Sequence, residues 1–149
     1  MTKAASKRKL KKVMVFGTFD ILHPGHLSFL KQASKLGNFL VVSVARDANT
    51  KKFKGFTPAF SQDDRRRMVA SVKFVDKAVL GGKKNYLPHV LSERPDIIAL
   101  GFDQKAYLPQ LYADLESKRL KVRIVKLRSY APAKYKSSRY KMKIKESKT

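Results

Sequence analysis

The sequence predicts an α/β fold: a single domain built on a doubly wound sheet of five parallel strands. Five short apolar runs have the length of buried strands, and segments with a helical spacing of apolar residues lie between them. Strands that are apolar throughout are typical of parallel sheets covered by helices on both faces. Right-handed crossovers between such strands then give the doubly wound arrangement.

The first three elements follow from apolar runs and glycine stops. Residues 11–16 form an apolar run closed by Gly17 and are predicted as a buried strand. The segment 24–36 carries apolar residues at close to the 3.6-residue period and ends at Gly37, which predicts an amphipathic helix. Residues 39–45, FLVVSVA, are predicted as a second buried strand.

The middle of the chain alternates in the same way. Residues 46–60 are polar and lysine-rich and are predicted as a loop. Ser61 can cap a helix that runs to about residue 72, and two aspartates in its first turn suit the positive end of the helix dipole. Residues 74–80 are predicted as a third strand, stopped by two glycines.

The last third supplies two more strands and their helices. A short helix over 85–92 precedes a strand over 96–100, and a helix over 108–117 precedes a strand over 122–127. After the fifth strand the chain is irregular around Pro132 and ends in a basic segment with weak helical character.

Charge divides the chain into three segments. Thirty-four Lys and Arg residues against eleven Asp and Glu residues give a formal net charge of +23, with most of the excess at the two ends. We therefore separate a flexible basic tail at 1–10, a domain at 11–130 and a basic C-terminal segment at 131–149. Such a field attracts polyanions, which include nucleotides, phosphorylated metabolites and nucleic acids.

Composition also excludes several classes of protein. Because the chain has no cysteine, disulfides, thiolate catalysis and thiolate metal sites are ruled out. The basic N-terminus lacks the apolar core of a signal peptide, and no apolar run approaches the roughly 20 residues that span a bilayer. We expect a cytoplasmic protein without a membrane partner.

Two histidines lie at the predicted edge of the sheet, in the stretch GTFDILHPGH that begins at Gly17. Pro24 suits the first helical turn, which places His23 near the N-cap and His26 one turn later. Both rings can then face the same side as the free backbone N–H groups and the positive end of the helix dipole. Gly17 and Gly25 leave room for a phosphate near the backbone. The stretch therefore predicts an anion-binding cradle.

Imidazole rings suit the transfer of a phosphate-linked group. A neutral ring donates one hydrogen bond and a protonated ring a stronger one, so the pair can stabilise charge on phosphate oxygens. Nucleotidyl transfer depends mainly on positioning and electrostatics, and it needs no nucleophilic side chain when the second substrate's phosphate attacks. Capping and zinc binding are the alternatives, but zinc needs further ligands and the only other histidine, His89, is distant in sequence. We assign no metal ligand to the protein.

The stretch GTFDILHPGHLSFLKQA resembles the HxGH signature of the cytidylyltransferase-like nucleotidyltransferases, a Rossmann-like superfamily. Four further segments resemble the archaeal-type FAD synthases, which are FMN adenylyltransferases: VARDANTKKFKG, DDRRRMV, FVDKAVLG and PDIIALGFDQ. The resemblance covers roughly residues 11–130. It implies transfer of AMP from ATP to FMN with release of pyrophosphate, by in-line attack of the FMN phosphate and with Mg²⁺ bridging phosphate oxygens.

The resemblance also implies roles for individual residues. Those expected at the nucleotide are Gly17, Thr18, Phe19, His23, His26, Asp103, Arg128, Ser137 and Ser138. Those expected to stabilise the reacting phosphates are His23, His26, Lys54 and Arg128, and those expected to bind the acceptor or a phosphate are Lys52, Lys54 and Arg65. Arg65 takes the place of an arginine that supports the active site across a dimer contact in related enzymes, so a homodimer is expected. Any single lysine can equally be a solvated charge, and the two serines can equally cap a last helix.

Other functions stay open on the same fold. Glycerol-3-phosphate cytidylyltransferases, which use CTP, share this framework. A nucleic-acid-binding module would use the basic ends, where three tyrosines lie among lysines and arginines, and a nucleotide sensor is a further alternative; the retained histidines favour catalysis. The chain lacks the cysteines that archaeal FAD synthases often carry near the C-terminus. Its segment APAKYKSSRYKMKIK differs from the RTxGISTT-like form of the cytidylyltransferases, which argues against a cytidylyl enzyme.

Overall fold

The computed structural model describes residues 9–129 and Lys143. Its strands are β1 (Lys12–Gly17), β2 (Phe39–Val44), β3 (Lys77–Leu80), β4 (Ile97–Leu100) and β5 (Arg123–Lys126). Its α-helices are α1 (Pro24–Ser34), α2 (Asp47–Lys54), α3 (Gln62–Ala70), α4 (Leu87–Glu93) and α5 (Leu108–Ser117), with a 3₁₀-helix at Phe102–Tyr107 before α5. The predicted basic segment at 131–149 lies outside the described residues, Lys143 excepted.

The five strands form one parallel sheet in the order β3-β2-β1-β4-β5. The central strand β1 pairs with β2 along its whole length, from Lys12 opposite Phe39 to Gly17 opposite Val44. After β3 the chain crosses to β4 on the other side of β1. In such a sheet the ligand crevice lies at the carboxyl ends of the strands beside this switch point, here β1 and β4. The predicted fold class is confirmed.

Two helices pack against each face of the sheet. Successive residues of a strand point to opposite faces, so each strand contributes side chains to two cores. The core on one face joins β1 and β2 to α1 and α3 and contains Val13, Val15, Leu40, Val42, Leu30, Ala33 and Val69. The core on the other face joins β1 and β4 to α4 and α5 and contains Met14, Ile98, Leu100, Val90, Leu111 and Leu115. Burial on both faces explains why these strands are apolar throughout.

The segment 46–60, predicted as a loop, contains the helix α2. Thr50 is the buried residue of this helix, so no apolar stripe marks it in the sequence. Asp47 in the first turn and three lysines in the last turn suit the helix dipole, and Gly55 ends the helix in the left-handed conformation with φ 78°. The loop prediction was wrong for residues 47–54.

Other differences concern boundaries. The strand predicted from residue 74 begins at Lys77. Asp76 precedes it and joins the chain to β2: its N–H donates to the Leu40 carbonyl at 3.0 Å, and its carboxylate accepts from the Leu40 N–H at 2.7 Å. The helices α1 and α3 each end two residues before the predicted boundary. Within the described part of the chain, no helix combines the length and apolar character needed to cross a bilayer.

Candidate active site

The histidine motif lies where the central strand β1 passes into α1 through the β1–α1 turn, residues 18–23. His23 is the N-cap residue of α1, and its Nδ1 accepts a hydrogen bond of 3.1 Å from the Gly25 N–H. Because Nδ1 is the acceptor, the neutral ring carries its proton on Nε2. His23 therefore caps the helix with one nitrogen and presents a donor with the other.

The rings of His23 and His26 stack on each other. Their centroids are 3.8 Å apart and their planes differ by 23°. The ring of Phe19 meets His26 edge to face, with centroids 5.3 Å apart. The stacking holds both imidazoles side by side at the N-terminal end of α1, as the motif predicts.

Phe19 also explains the glycine that closes β1. A Cβ on Gly17 would come within 2.5 Å of the Phe19 ring. Phe19 itself is buried and has a left-handed backbone, with φ 51°. A side chain at position 17 would therefore collide with the ring that packs against His26, and the approach of a phosphate to the Gly17 backbone stays a prediction.

Burial makes both histidines weak bases. Removal from solvent lowers the pKa of His23. The pKa of His26 falls to about 3, chiefly through burial and further through the positive charges of His23 and Lys54, while the backbone of Ile21 acts in the opposite direction. Both rings are therefore neutral near pH 7 and donate without charge. A triphosphate beside them would raise both pKa values, because negative charge favours the protonated ring.

The structure separates the two lysines predicted at the site. Lys54 Nζ lies 3.0 Å from the Thr18 hydroxyl, in the β1–α1 turn. Lys52 Nζ lies instead over the ring of Phe53, 5.3 Å from its centroid. Lys54 is the last residue of α2 and its positive charge acts on His26, whereas Lys52 contacts Phe53 of the same helix.

Arg65 has no solvent exposure and does not face a phosphate site. Its Nε donates to the Phe60 carbonyl at 3.0 Å, and its two Nη groups donate to the Thr18 carbonyl at 2.8 Å and to the Asp47 carboxylate at 2.6 Å. Each guanidinium nitrogen thus has a partner within this chain, and the expected contact with an acceptor or across a dimer stays a prediction. Arg65 is a positioning residue that ties α2, α3 and the β1–α1 turn together.

Asp20 supplies a second buried charge within the turn, at a position that was not predicted from the sequence. Its carboxylate accepts from the N–H groups of Ala59 at 2.9 Å and Phe60 at 3.1 Å. A buried carboxylate is tolerated when hydrogen bonds replace its hydration. Asp20 and Arg65 together therefore fix the segment before α3 against the turn. The signal available in the sequence was the position of Asp20 inside GTFD.

On the other side of β1, a cavity of about 530 Å³ lies at the carboxyl ends of β4 and β5. Its lining is formed by Gly101, Phe102, Lys126, Leu127, Arg128 and Ser129. Its volume is within the range of small-molecule pockets, and it is open to solvent. The structure therefore places Arg128, one of the residues expected at the nucleotide, in the wall of a cavity beside the switch point.

Two glutamines, neither of which the sequence analysis singled out, hold this side of the edge in place. The Gln32 amide on α1 accepts from the Arg128 N–H and donates to the Arg128 carbonyl, both at 3.0 Å. The Gln104 amide donates to the Phe16 carbonyl at 2.9 Å and accepts from the Gly101 N–H at 2.8 Å. Gln104 thus joins the ends of β1 and β4. Side chains that bind backbone groups leave no periodic pattern in a sequence.

Asp103 stands exposed in the 3₁₀-helix that follows β4, at the predicted edge of the sheet. A Cβ on Gly101 would lie 3.1 Å from its carboxylate, so the glycine leaves this side chain room. Among the described residues, no three His, Asp or Glu side chains are grouped so that they could hold a metal ion. Ser137 and Ser138 lie outside the described residues.

Known proteins are similar to this chain in both sequence and fold. A family model described as cytidylyltransferase-like matches residues 14–144. The FAD synthase of Aciduliprofundum boonei is 47% identical over 119 residues, which are 80% of this chain and 79% of that protein. The FAD synthase of Methanothrix thermoacetophila is 44% identical over 130 residues, which are 87% of this chain and 90% of that protein.

A solved structure is also similar along most of the chain. The crystal structure of the lipopolysaccharide core biosynthesis protein from Thermoplasma volcanium GSS1 superposes with a TM-score of 0.78 and 38% sequence identity, covering 82% of this chain and 99% of that one. The resemblance drawn from the HxGH motif and its companion segments is confirmed. The chain belongs to the cytidylyltransferase-like family.

Proposed function

We propose that this protein is an FMN adenylyltransferase, which converts ATP and FMN to FAD and pyrophosphate. An oxygen of the FMN phosphate attacks the α-phosphorus of ATP in line. The new P–O bond forms as the bond from the α-phosphorus to the bridging oxygen breaks, and pyrophosphate leaves with that electron pair. The stacked, neutral histidine pair at the start of α1 carries the proposal. The relatives named FAD synthase support the choice of acceptor.

The β1–α1 turn and its neighbours supply the electrostatic part of the reaction. Charge builds on the phosphate oxygens of the transition state, and donors that are already in position stabilise it without reorganisation. We assign this role to His23 through Nε2, to His26, to the first backbone amides of α1 and to Lys54. The acceptor phosphate is the nucleophile, so no side chain needs to form a covalent intermediate.

Magnesium enters this reaction with the nucleotide, as MgATP. The described residues include no cluster of three carboxylate or histidine ligands, so they do not provide a protein-built cage for the ion. Mg²⁺ bound to phosphate oxygens would offset their charge. We assign no step to a protein-held metal.

The cavity beside β4 and β5 is our proposed position for the nucleoside part of ATP. Arg128 lies in its wall and Asp103 on the adjoining 3₁₀-helix. The exposed charge of Arg128 suits a ligand that carries phosphates. Ser137 and Ser138 stay predicted nucleotide contacts.

A panel of substrates tests the proposal. Each of the four nucleoside triphosphates is incubated with FMN, glycerol 3-phosphate or phosphopantetheine, and pyrophosphate release is measured. We expect ATP with FMN to react fastest and FAD to appear in equal amount. Faster release from CTP with glycerol 3-phosphate would contradict it and favour the cytidylyltransferase alternative. The solved relative, described as a lipopolysaccharide core biosynthesis protein, is a reason to include acceptors other than FMN.

The homodimer expected from the resemblance is part of the proposal. Arg65, with its hydrogen bonds to Thr18, Phe60 and Asp47, would support such a dimer by fixing the β1–α1 turn. Sedimentation at high protein concentration is expected to show a dimer, and a monomer at every concentration would contradict this. The cytoplasmic location stays a prediction. If no substrate pair releases pyrophosphate, a nucleic-acid-binding role becomes the better account, with affinity that falls steeply as salt is added.

A further inference from the structure

Three phenylalanines in one segment leave much of their rings in solvent. Phe53 is 68% exposed, Phe56 39% and Phe60 43%, whereas Phe19 in the β1–α1 turn is buried. The segment that carries them also carries Lys54, whose ammonium reaches Thr18 in the β1–α1 turn. Exposed aromatic side chains beside a polar site are typical of ligand-binding surfaces.

Two buried charges fix the backbone of Phe60. Its N–H donates to the Asp20 carboxylate at 3.1 Å, and its carbonyl accepts from Arg65 Nε at 3.0 Å. Asp20 belongs to the β1–α1 turn, and Arg65 also donates to the Thr18 carbonyl at 2.8 Å. A single guanidinium therefore bridges the Phe60 carbonyl to the turn, so the backbone that carries this partly exposed ring is fixed close to the turn.

We infer that the ring of Phe60 is the platform on which the planar isoalloxazine ring of the acceptor stacks. This inference rests on the proposed function. The acceptor phosphate must lie near the histidine pair and Lys54, and the ribityl chain of FMN separates that phosphate from its ring system. The flavin ring therefore needs an apolar surface a short distance from the turn. An aromatic ring gives such a surface and adds a favourable stacking geometry.

Phe53 is the matched control for this platform. It lies on α2, in the same segment as Phe60, and has an even more exposed ring. Its ring already carries the Lys52 ammonium, 5.3 Å from the centroid. Since Phe53 has no role in the proposed platform, substitutions there measure the effect of removing an exposed ring from this segment.

Two measurements test the platform on the full chain. In Phe60→Ala the dissociation constant for FMN is expected to rise about tenfold or more, while the affinity for MgATP stays within twofold. Phe60→Tyr keeps an aromatic face and is expected to bind FMN nearly as tightly as the wild type. Phe53→Ala is expected to change FMN affinity by less than twofold. Unfolding curves confirm that each variant is folded.

The second measurement uses the absence of tryptophan from the chain. Phe60→Trp places a single indole at the platform, and an indole stacked on a flavin quenches its emission by electron transfer at contact. Bound FMN is expected to lose most of its emission in Phe60→Trp and much less in Phe53→Trp.

Either an unchanged FMN dissociation constant in Phe60→Ala or unquenched FMN in Phe60→Trp would overturn the platform. These failures are distinct from failure of the proposed function. If the wild type forms FAD but is insensitive to Phe60, the platform alone is refuted. If the wild type forms no FAD from ATP and FMN, the reaction assignment fails and the platform fails with it.

Discussion

The two sides of the sheet edge are built in different ways. Beside the β1–α1 turn, Arg65 and Asp20 are buried, and their hydrogen bonds hold three segments in one arrangement. Beside β4 and β5, Asp103 and Arg128 are exposed, and a backbone contact to Gln32 holds Arg128 at an open cavity. Fixed donors suit a transition state, whereas exposed charges suit the capture of a charged ligand. We propose that the chemistry takes place at the β1–α1 turn and that the nucleoside part of ATP binds beside β4 and β5, with α1 joining the two regions.

Substitutions in the histidine pair are expected to cause the largest loss of turnover. His23→Asn keeps an acceptor for the Gly25 N–H, and with it the helix cap, but removes the ring and its Nε2 donor. Turnover with saturating ATP and FMN is expected to fall about 100-fold or more, and similarly in His26→Ala, while nucleotide affinity changes only a few-fold. His89→Gln on α4 is the control and is expected to keep near-normal turnover. Normal turnover in both motif variants would contradict the assignment.

Arg65 tests whether the turn side is held by its buried charge. Arg65→Ala leaves two carbonyl groups and the partly exposed Asp47 carboxylate without the guanidinium donor, so the free energy of unfolding is expected to drop by about 2–3 kcal/mol. Arg67→Ala, at an exposed position of the same helix, is expected to change it by less than about 0.5 kcal/mol. Urea titrations of the two variants give the comparison. Equal stabilities would show that the network does not hold the turn.

Substitutions of the two lysines of α2 compare a residue that contacts the β1–α1 turn with one on the same helix that does not show this contact. Lys54→Ala removes the ammonium beside Thr18 and is expected to lower kcat/KM about 30-fold, as expected for a lost charged contact to phosphate. Lys52→Ala removes a charge that lies over Phe53, so kcat/KM is expected to stay within twofold. Steady-state kinetics with varied FMN measures both. A larger loss from Lys52→Ala would reverse the assignment.

The smallest effect is expected on the cavity side. Gln32→Ala removes both hydrogen bonds to the Arg128 backbone, so the KM for ATP is expected to rise about fivefold with little change in kcat. Gln110→Ala on α5, where the amide donates to the Asp114 carboxylate at 2.8 Å, is the matched control. A fall in kcat for Gln32→Ala with unchanged KM would mean that the two regions are not separate.

The sequence predicted what depends on apolar periodicity and on local capping. The strands β1, β2 and β4 and the cap at His23 follow from such patterns. The helix α2 was missed because it packs through one buried threonine, and without it the relative positions of Lys52 and Lys54 could not be derived.

Contacts between segments that are distant in sequence could not be predicted, for a physical reason. Arg65 stands in a run of three arginines, and nothing local to that run distinguishes the buried one from its neighbours. Its partners Thr18 and Asp47 lie far away in sequence and meet it only after the sheet has formed. The amide contacts of Gln32 and Gln104 to backbone groups depend on tertiary placement in the same way.

The most direct test of the central claim follows the protonation of the histidines by NMR. The chain has three histidines, so each can be assigned and titrated with and without an ATP analogue whose α,β-bridge resists cleavage. Burial lowers the pKa of His23 and brings that of His26 to about 3, and we expect both values to rise when the triphosphate binds beside the rings. The pKa of His89 is expected to stay unchanged. If saturating analogue leaves His23 and His26 unaffected, the triphosphate does not bind at the histidine pair and the account is wrong.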